Sequence, residues 1–345
     1  MVPTANRETV ETHNLPAEHA GQNTFQERNP MKIGVIGAGA MGSAMGALLT
    51  KSGNDVTLID VWREAIDAIN TRGLQIEDKS GSTETVKIRA TDDPTTVGTV
   101  DLVLVFVKCY HTEVAVRAAL TLIGADTVVL SLQNGWGNGP RIASIVGQEK
   151  VLLGVSYHSA TVLGPGHVLH GGRGLTFMGE PNGTVSARLE RVATVFTQAG
   201  IEATVTSAIL KEIWSKLALN VCTLPTSALL RIYAQPLIQH DGTTKLMQAL
   251  LREVVIVAQA QNIPLDYDER WEAISGLLRR LAPTIKGSML QDVERSRQTE
   301  IDVINGAVVD AGRRLGIPTP YNDTMVWMTK SLQETFPSEA SRVGI

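Results

Sequence analysis

The chain has 345 residues, 43% of them apolar and 19% charged, with a formal net charge of −4. This is the composition of an ordinary soluble globular protein long enough for two cores, and its slight negative charge argues against a nucleic-acid or anionic-membrane partner. No apolar run reaches the ~20 residues that span a bilayer; two cysteines, Cys109 and Cys222, give no disulfide framework, and seven scattered histidines offer no metal-ligand spacing.

Residues 1–30 carry Pro, Asn, Gln, Glu and His with almost no apolar clusters. They cannot bury enough surface to offset chain entropy, so a disordered arm is expected. They also lack the apolar core of a signal peptide, and their acids argue against a transit peptide; with the reduced cysteines this points to a cytoplasmic protein. Met31 directly precedes the first strand and is the expected native start, which sequencing the N-terminus of protein from the source cells would test.

Residues 32–36 form a short apolar run rich in β-branched side chains. It stops at Gly37, Ala38, Gly39, Ala40, Met41 and Gly42, a G-x-G-x-x-G that leads into a helix-like segment, residues 40–51. In a dinucleotide fold the first glycine turns the chain out of the strand, and the second lets backbone approach the pyrophosphate. The third lets the helix pack on the sheet, and the helix N-terminus meets the phosphates. Glycine clusters alone more often mark ordinary turns. Here the next apolar run, residues 56–59, ends in Asp60 at about the distance the fingerprint requires, where a carboxylate can accept both ribose hydroxyls.

A helix over residues 63–72 follows, then a polar region, 73–93, with strand-like pieces at 74–76 and 86–88. Residues 101–107 (DLVLVFV) read as a parallel strand covered on both faces. Lys108, Cys109 and Tyr110 stand at its carboxyl end, before a helix over 112–122. A second buried strand, 127–132, runs into the glycine-rich loop Gln133 to Gly139, which holds Asn134. Ligands of open α/β sheets sit beyond the carboxyl ends of strands, so Lys108 and Asn134 share a rim with Gly37 to Gly42. Residues 151–180 read as short strands extending that sheet.

Beyond about residue 207 the pattern becomes helical, over 208–221, 243–261, 267–281 and 300–315. The expected organisation is therefore the arm (1–30), a dinucleotide-binding domain (31–206) and an all-helical substrate domain (207–335). The cleft between the last two is the default active site.

Hydride delivered to a ketone leaves negative charge on oxygen, which calls for an acid or cation beside it. Lys216 in ALKEIWSKLALN is a candidate, with Asn220 one turn on. Glu212, four residues before Lys216, offers the plainer reading of an exposed helix ion pair. Glu300 is either a carboxylate at a helix N-terminus or an anchor for a substrate hydroxyl. Ser288 either holds a substrate carboxylate or merely ends a turn after Gly287. Residue chemistry alone leaves these pairs open.

The stretches GAGAMGS, FVKCYHT, SLQNGWGN, EIWSKLALN and KGSMLQDVERSRQTEIDVINGAVV come in the order and approximate spacing of the ketopantoate reductase (2-dehydropantoate 2-reductase) family. The chain resembles that family from residue 31 to about 329. The resemblance implies an α/β Rossmann-like domain followed by an all-helical one, and NADPH- or NADH-dependent reduction of ketopantoate to (R)-pantoate, a step of pantothenate biosynthesis. It gives Lys216 as general acid and Glu300 as the acid that binds the substrate hydroxyl. Asn220 and Ser288 match substrate-binding positions, and Lys108 and Asn134 match residues near the cofactor and the reacting carbon.

On one straight helix Ser288 and Glu300 would stand ~18 Å apart, at ~1.5 Å per residue, too far to share a small keto acid. A break is therefore expected within residues 294–299. Two positions depart from the family. Leu224 precedes Pro225 where the family usually has Asn before Pro; losing that amide makes the pocket more apolar and shifts the expected substrate toward another 2-keto acid. Asp60 repels a 2′-phosphate and favours NADH, yet Arg63 nearby can bind that phosphate, and the family pattern favours NADPH. The alternatives are a reductase or dehydrogenase for a more apolar 2-keto or 2-hydroxy acid, and a non-catalytic nucleotide sensor. Retention of Lys216, Asn220 and Glu300 together argues against the sensor. Helical domains of this kind can pair as homodimers, but no stretch marks a pairing face.

Overall fold

The structure is a computed structural model that describes residues 30–337. The arm expected over residues 1–30 lies, apart from Pro30, outside the described residues. The first turn of the chain is β1 (Lys32–Ile36), α1 (Ala40–Lys51) and β2 (Asp55–Ile59), with the strands parallel and in register from Lys32 opposite Asp55 to Ile36 opposite Ile59. Next come α2 (Arg63–Arg72), β3 (Leu74–Glu77), β4 (Thr83–Val86) and β5 (Arg89–Thr91). Then follow β6 (Leu102–Val105), α3 (Thr112–Ala118), β7 (Val128–Ser131) and α4 (Asn138–Val146). The α/β part ends with β8 (Val151–Ser156), β9 (Ser159–Gly164), β10 (His167–Gly172), β11 (Thr176–Gly179), α5 (Ala187–Gln198) and β12 (Ala203–Val205).

The main sheet has eight strands in the order β12-β11-β8-β7-β6-β1-β2-β5. Only the β8–β11 pair is antiparallel. Alternation along its strands fills both faces. Ile33 and Val35 of β1, Leu102 and Leu104 of β6 and Val128 and Leu130 of β7 pack with Met45 and Leu49 of α1 and Phe196 of α5. Ile36, Val103, Val105 and Val129 point the other way, onto Val116 of α3 and Ile142 of α4. A side-chain period of two makes this division obligatory once helices cover both faces. The chain leaves β1 toward β2 on one side and returns to β6 on the other, so the strand order reverses beside β1, the place where open α/β sheets bind ligands beyond the strand ends.

Two expectations change here. Residues 86–88 are not one strand: β4 ends at Val86 and β5 begins at Arg89, because they serve different sheets. Likewise, residues 151–180 only partly extend the main sheet. β9 and β10 join β3 and β4 in a separate four-stranded sheet, order β4-β3-β10-β9.

The remaining elements are helices: α6 (Ile209–Leu230), α7 (Asp241–Gln259), α8 (Tyr267–Arg280), α9 (Ser288–Glu294), α10 (Asn305–Leu315) and α11 (Pro320–Glu334). They enclose a core of Trp214, Leu217, Met247, Leu250, Val254, Leu278, Val308 and Met325. The described residues from Met31 onward belong to one compact unit, and Ile209 and Ile213 of α6 join the sheet-side cluster of α3 and α4.

Helix α6 was expected to stop near Val221, ahead of Pro225, but it runs on to Leu230. A proline inside a helix removes the amide that the carbonyl four residues back needs. Here that carbonyl, on Val221, accepts from Asn305 Nδ2 at 3.4 Å, so the buried group keeps a partner. Helix α9 ends at Glu294, and Ser296 has a left-handed φ of 52°. The chain then resumes with a 3-10 turn over Ile301–Val303 before α10. The break expected within residues 294–299 is therefore present, and Glu300 does not open a long helix.

Candidate active site

The glycine loop is built for close backbone approach. Gly37 has φ 103°, and a Cβ there would lie 2.7 Å from Val107 N; a Cβ on Gly42 would lie 1.8 Å from Gly37 O. Nothing lies within 4 Å of the corresponding position on Gly39, and no side chain caps the N-terminus of α1. Glycine thus closes the loop on its protein side and leaves the outer side open to a phosphate, beside Ala40, Met41 and the uncapped helix end. Asp60 holds the loop: its Oδ2 accepts the Ala38 amide at 2.7 Å and its Oδ1 the Trp62 amide at 3.0 Å. Both carboxylate oxygens, expected to serve a ribose, already bind backbone and have only their remaining lone pairs to offer. Arg63 is exposed and ion-paired to Asp92 at 3.1 Å.

Lys216 makes no ion pair with Glu212. Its Nζ donates to Asn134 Oδ1 at 3.0 Å and to Ser156 O at 2.5 Å, both on the sheet rim. Burial pulls its ammonium down to about 8, against the pull of the Glu300 carboxylate, which favours the charged form. Lys216, Asn134 and Asn220 line one small pocket with Gln133, Gly154 and Leu217. Asn220 and Leu224 follow Lys216 at successive four-residue steps, so all three share a face of α6.

Glu300 anchors a second cluster. Its Oε1 accepts the Cys109 amide at 3.1 Å and its Oε2 lies 3.4 Å from Lys108 Nζ. Lys108 also pairs with Asp292 at 2.8 Å. Burial disfavours the charge on Lys108, but the two carboxylates outweigh it and hold the ammonium firmly on; burial raises Asp292 despite that lysine. Burial, with Glu300 adding to it, also pushes the Cys109 thiol up to about 12, so it is not a nucleophile.

Leu224 and Ser288 are less closely joined to these clusters. Ser288 is exposed at the start of α9. A Cβ on neighbouring Gly287 would stand 2.8 Å from Leu224 Cδ2, so that leucine packs against the backbone ahead of α9. Asp292, Ser156 and Gln133 are the additions that sequence reasoning missed. Asp292 had a signal, a carboxylate among the apolar residues Met289, Leu290 and Val293, all of them buried with it. Ser156 acts through its carbonyl, which no side-chain pattern encodes. Among the described residues, no group of three or more His, Cys, Asp or Glu side chains is arranged to hold a metal.

A glycine loop at the strand-order reversal of a mostly parallel sheet, with a half-buried lysine from a helical region bonded to the sheet rim, suits an oxidoreductase that uses a nicotinamide dinucleotide. The family Ketopantoate reductase PanE/ApbA matches residues 33–183, and its C-terminal part matches residues 208–333. The chain belongs to the ketopantoate reductase family. It is similar to the 2-dehydropantoate 2-reductase of Pyrococcus horikoshii, with 34% identity over 88% of this chain and 98% of that protein. It is also similar to that of Halobacterium salinarum, with 31% identity over 88% and 99%. Among solved structures, D-mandelate dehydrogenase with NADH and anilino(oxo)acetate superposes with a TM-score of 0.83 at 28% identity, covering 89% of this chain and 99% of that one. A PanE/ApbA family ketopantoate reductase from Ralstonia eutropha gives 0.79 at 31% identity, covering 88% and 99%.

Proposed function

We propose that the protein reduces a 2-keto acid to the 2-hydroxy acid, with Lys216 as general acid and ketopantoate, giving (R)-pantoate, as the leading substrate. The observation that carries this reading is the half-buried Lys216 ammonium, lowered to about 8 and held on the sheet rim by Asn134 and Ser156. An ammonium of that acidity is charged at neutral pH yet gives up a proton readily. A bound dihydronicotinamide supplies the hydride. Lys216 donates its proton to the carbonyl oxygen as negative charge develops there, and regains one from water. Asn134 and Ser156 O aim its Nζ. Glu300, whose Oε2 stands off Lys108 at 3.4 Å, accepts a hydrogen bond from the substrate hydroxyl. Asn220 and Ser288 bind the rest of the acid, and Gly37 to Gly42 and Lys108 bind the cofactor. Residues 31–206 form the cofactor domain and 207–335 the substrate domain, and the protein works in the cytoplasm.

NADH is the favoured cofactor. What supports this is Asp60 just past β2, since a carboxylate there would repel a 2′-phosphate, together with the pairing of Arg63 to Asp92. A more apolar 2-keto acid is the second reading, favoured by Leu224 against the Gly287 backbone. A kinetic panel of ketopantoate against smaller and more apolar 2-keto acids tests both. If ketopantoate gives no better kcat/KM than the rest, it is not the substrate.

A further inference from the structure

The two catalytic clusters come from different parts of the fold, and they touch through backbone. Asn134, the partner of Lys216, is followed by Gly135, which has φ 82°. The next residue, Trp136, donates its amide to Val303 O at 2.8 Å. Val303 closes the 3-10 turn that begins after Glu300, and its own amide returns to Glu300 O at 3.1 Å. The approach at this seam is as close as a main chain permits. A Cβ on Gly135 would lie 2.2 Å from Val303 O and 2.7 Å from Val303 Cγ2. Only a residue without a side chain lets the rim loop sit here. Trp136 then packs against both the helical core and the sheet-side core.

We propose that Gly135 is a positioning residue: its contact with the Val303 carbonyl is the fixed point that sets the Lys216–Asn134 pair against Glu300 across the cleft. The inference rests on the reaction proposed above and adds to it a main-chain determinant of the geometry. A methyl group at residue 135 must push the Val303 turn back by roughly an ångström, a misplacement of the size that can cost about 100-fold in rate.

Gly137 provides the internal control. It lies two residues on in the same loop, has φ 106°, and nothing lies within 4 Å of its would-be Cβ. Gly135→Ala and Gly137→Ala therefore share left-handed backbone strain, and only the first breaks the seam. For Gly135→Ala, kcat/KM for the keto acid is expected to fall about 100-fold, with the cofactor Kd within about threefold of wild type, because the glycine loop after β1 is untouched. Gly137→Ala should lose less than about tenfold. The falling limb of the pH profile should also move to lower pH in Gly135→Ala, since withdrawing Glu300 removes a charge that favours the Lys216 ammonium. Equal losses in the two variants, or an unmoved pH profile, overturn the inference. If Gly135→Ala does not fold, hydrogen exchange of the wild-type protein carries the test. The Trp136 amide should exchange about tenfold or more slowly than the Gly137 amide, and equal exchange refutes the seam. An inactive wild type would count against the proposed reaction, and the amide exchange would still decide on the seam.

Discussion

Replacing Lys216 by methionine separates a catalytic lysine from a structural one. Burial takes the Lys216 ammonium from 10.5 to about 8, so at roughly 1.4 kcal/mol per pH unit its charged form costs the folded protein roughly 3.5 kcal/mol. The folded-state value lies below the unfolded one. The cost is therefore present in full below about pH 8 and fades as the pH rises toward 10.5, so wild-type stability climbs across that window. Methionine has a similar length and no charge, which removes the cost. It also gives up the bonds to Asn134 Oδ1 and Ser156 O, a loss of about 1–3 kcal/mol each. The opposing contributions nearly cancel, so Tm at pH 7 should stay within about 5 °C of wild type, and the climb above pH 8 should vanish. Meanwhile kcat should drop by about 10²–10⁴-fold with little change in cofactor Kd. Thermal melts at pH 7 and pH 9.5, single-turnover kinetics and a cofactor titration read all of this. A collapse in Tm, or a cofactor Kd that worsens in step with kcat, would refute the reasoning and make Lys216 structural.

Three further outcomes follow from the same geometry. In the wild type, kcat/KM for keto-acid reduction should be level below about pH 8 and fall about tenfold per unit above it, as Lys216 loses its proton; a profile flat to pH 10 would exclude Lys216 as the acid. Asp60→Asn keeps an acceptor for the Ala38 amide but removes the negative charge, so the NADPH-to-NADH ratio of kcat/KM should rise by about tenfold or more. An unchanged ratio would place cofactor choice elsewhere. Leu224→Asn puts an amide one turn beyond Asn220 on the same face of α6 and should move selectivity toward ketopantoate over apolar keto acids by about tenfold, read by competition between substrate pairs. An unaltered preference would mean that residue 224 does not face the substrate.

The cofactor half of the fold was legible because its signals are local. The run 32–36, the glycines and Asp60 fall within one βαβ unit, and β1, α1, β2 and α2 come within a residue or so of their expected bounds. The second sheet was not legible, since β9 and β10 pair with β3 and β4 from far earlier in the chain. Short strands of that kind carry no mark of which sheet they join. Helix α6 beyond Pro225 was hidden for a similar reason, because Asn305, the donor that rescues the Val221 carbonyl, lies in another element. At the site, the helical rise between Ser288 and Glu300, two residues paired by the family resemblance, was enough to expect the break before Glu300. The role of Glu300 as a partner of Lys108 and the Cys109 amide needed the cleft itself. The Gly135 seam is the most hidden of all, being a contact of glycine with a carbonyl oxygen.

The central claim, that this chain reduces a 2-keto acid with a nicotinamide cofactor, is tested most directly by steady-state kinetics of the wild-type protein. Ketopantoate and a series of smaller and more apolar 2-keto acids should be assayed with NADH and NADPH in parallel. At least one keto acid should be reduced with kcat/KM above about 10⁴ M⁻¹s⁻¹, faster with NADH than with NADPH. Tight binding of both nicotinamides without turnover of any keto acid would contradict the account and leave a nucleotide sensor in its place.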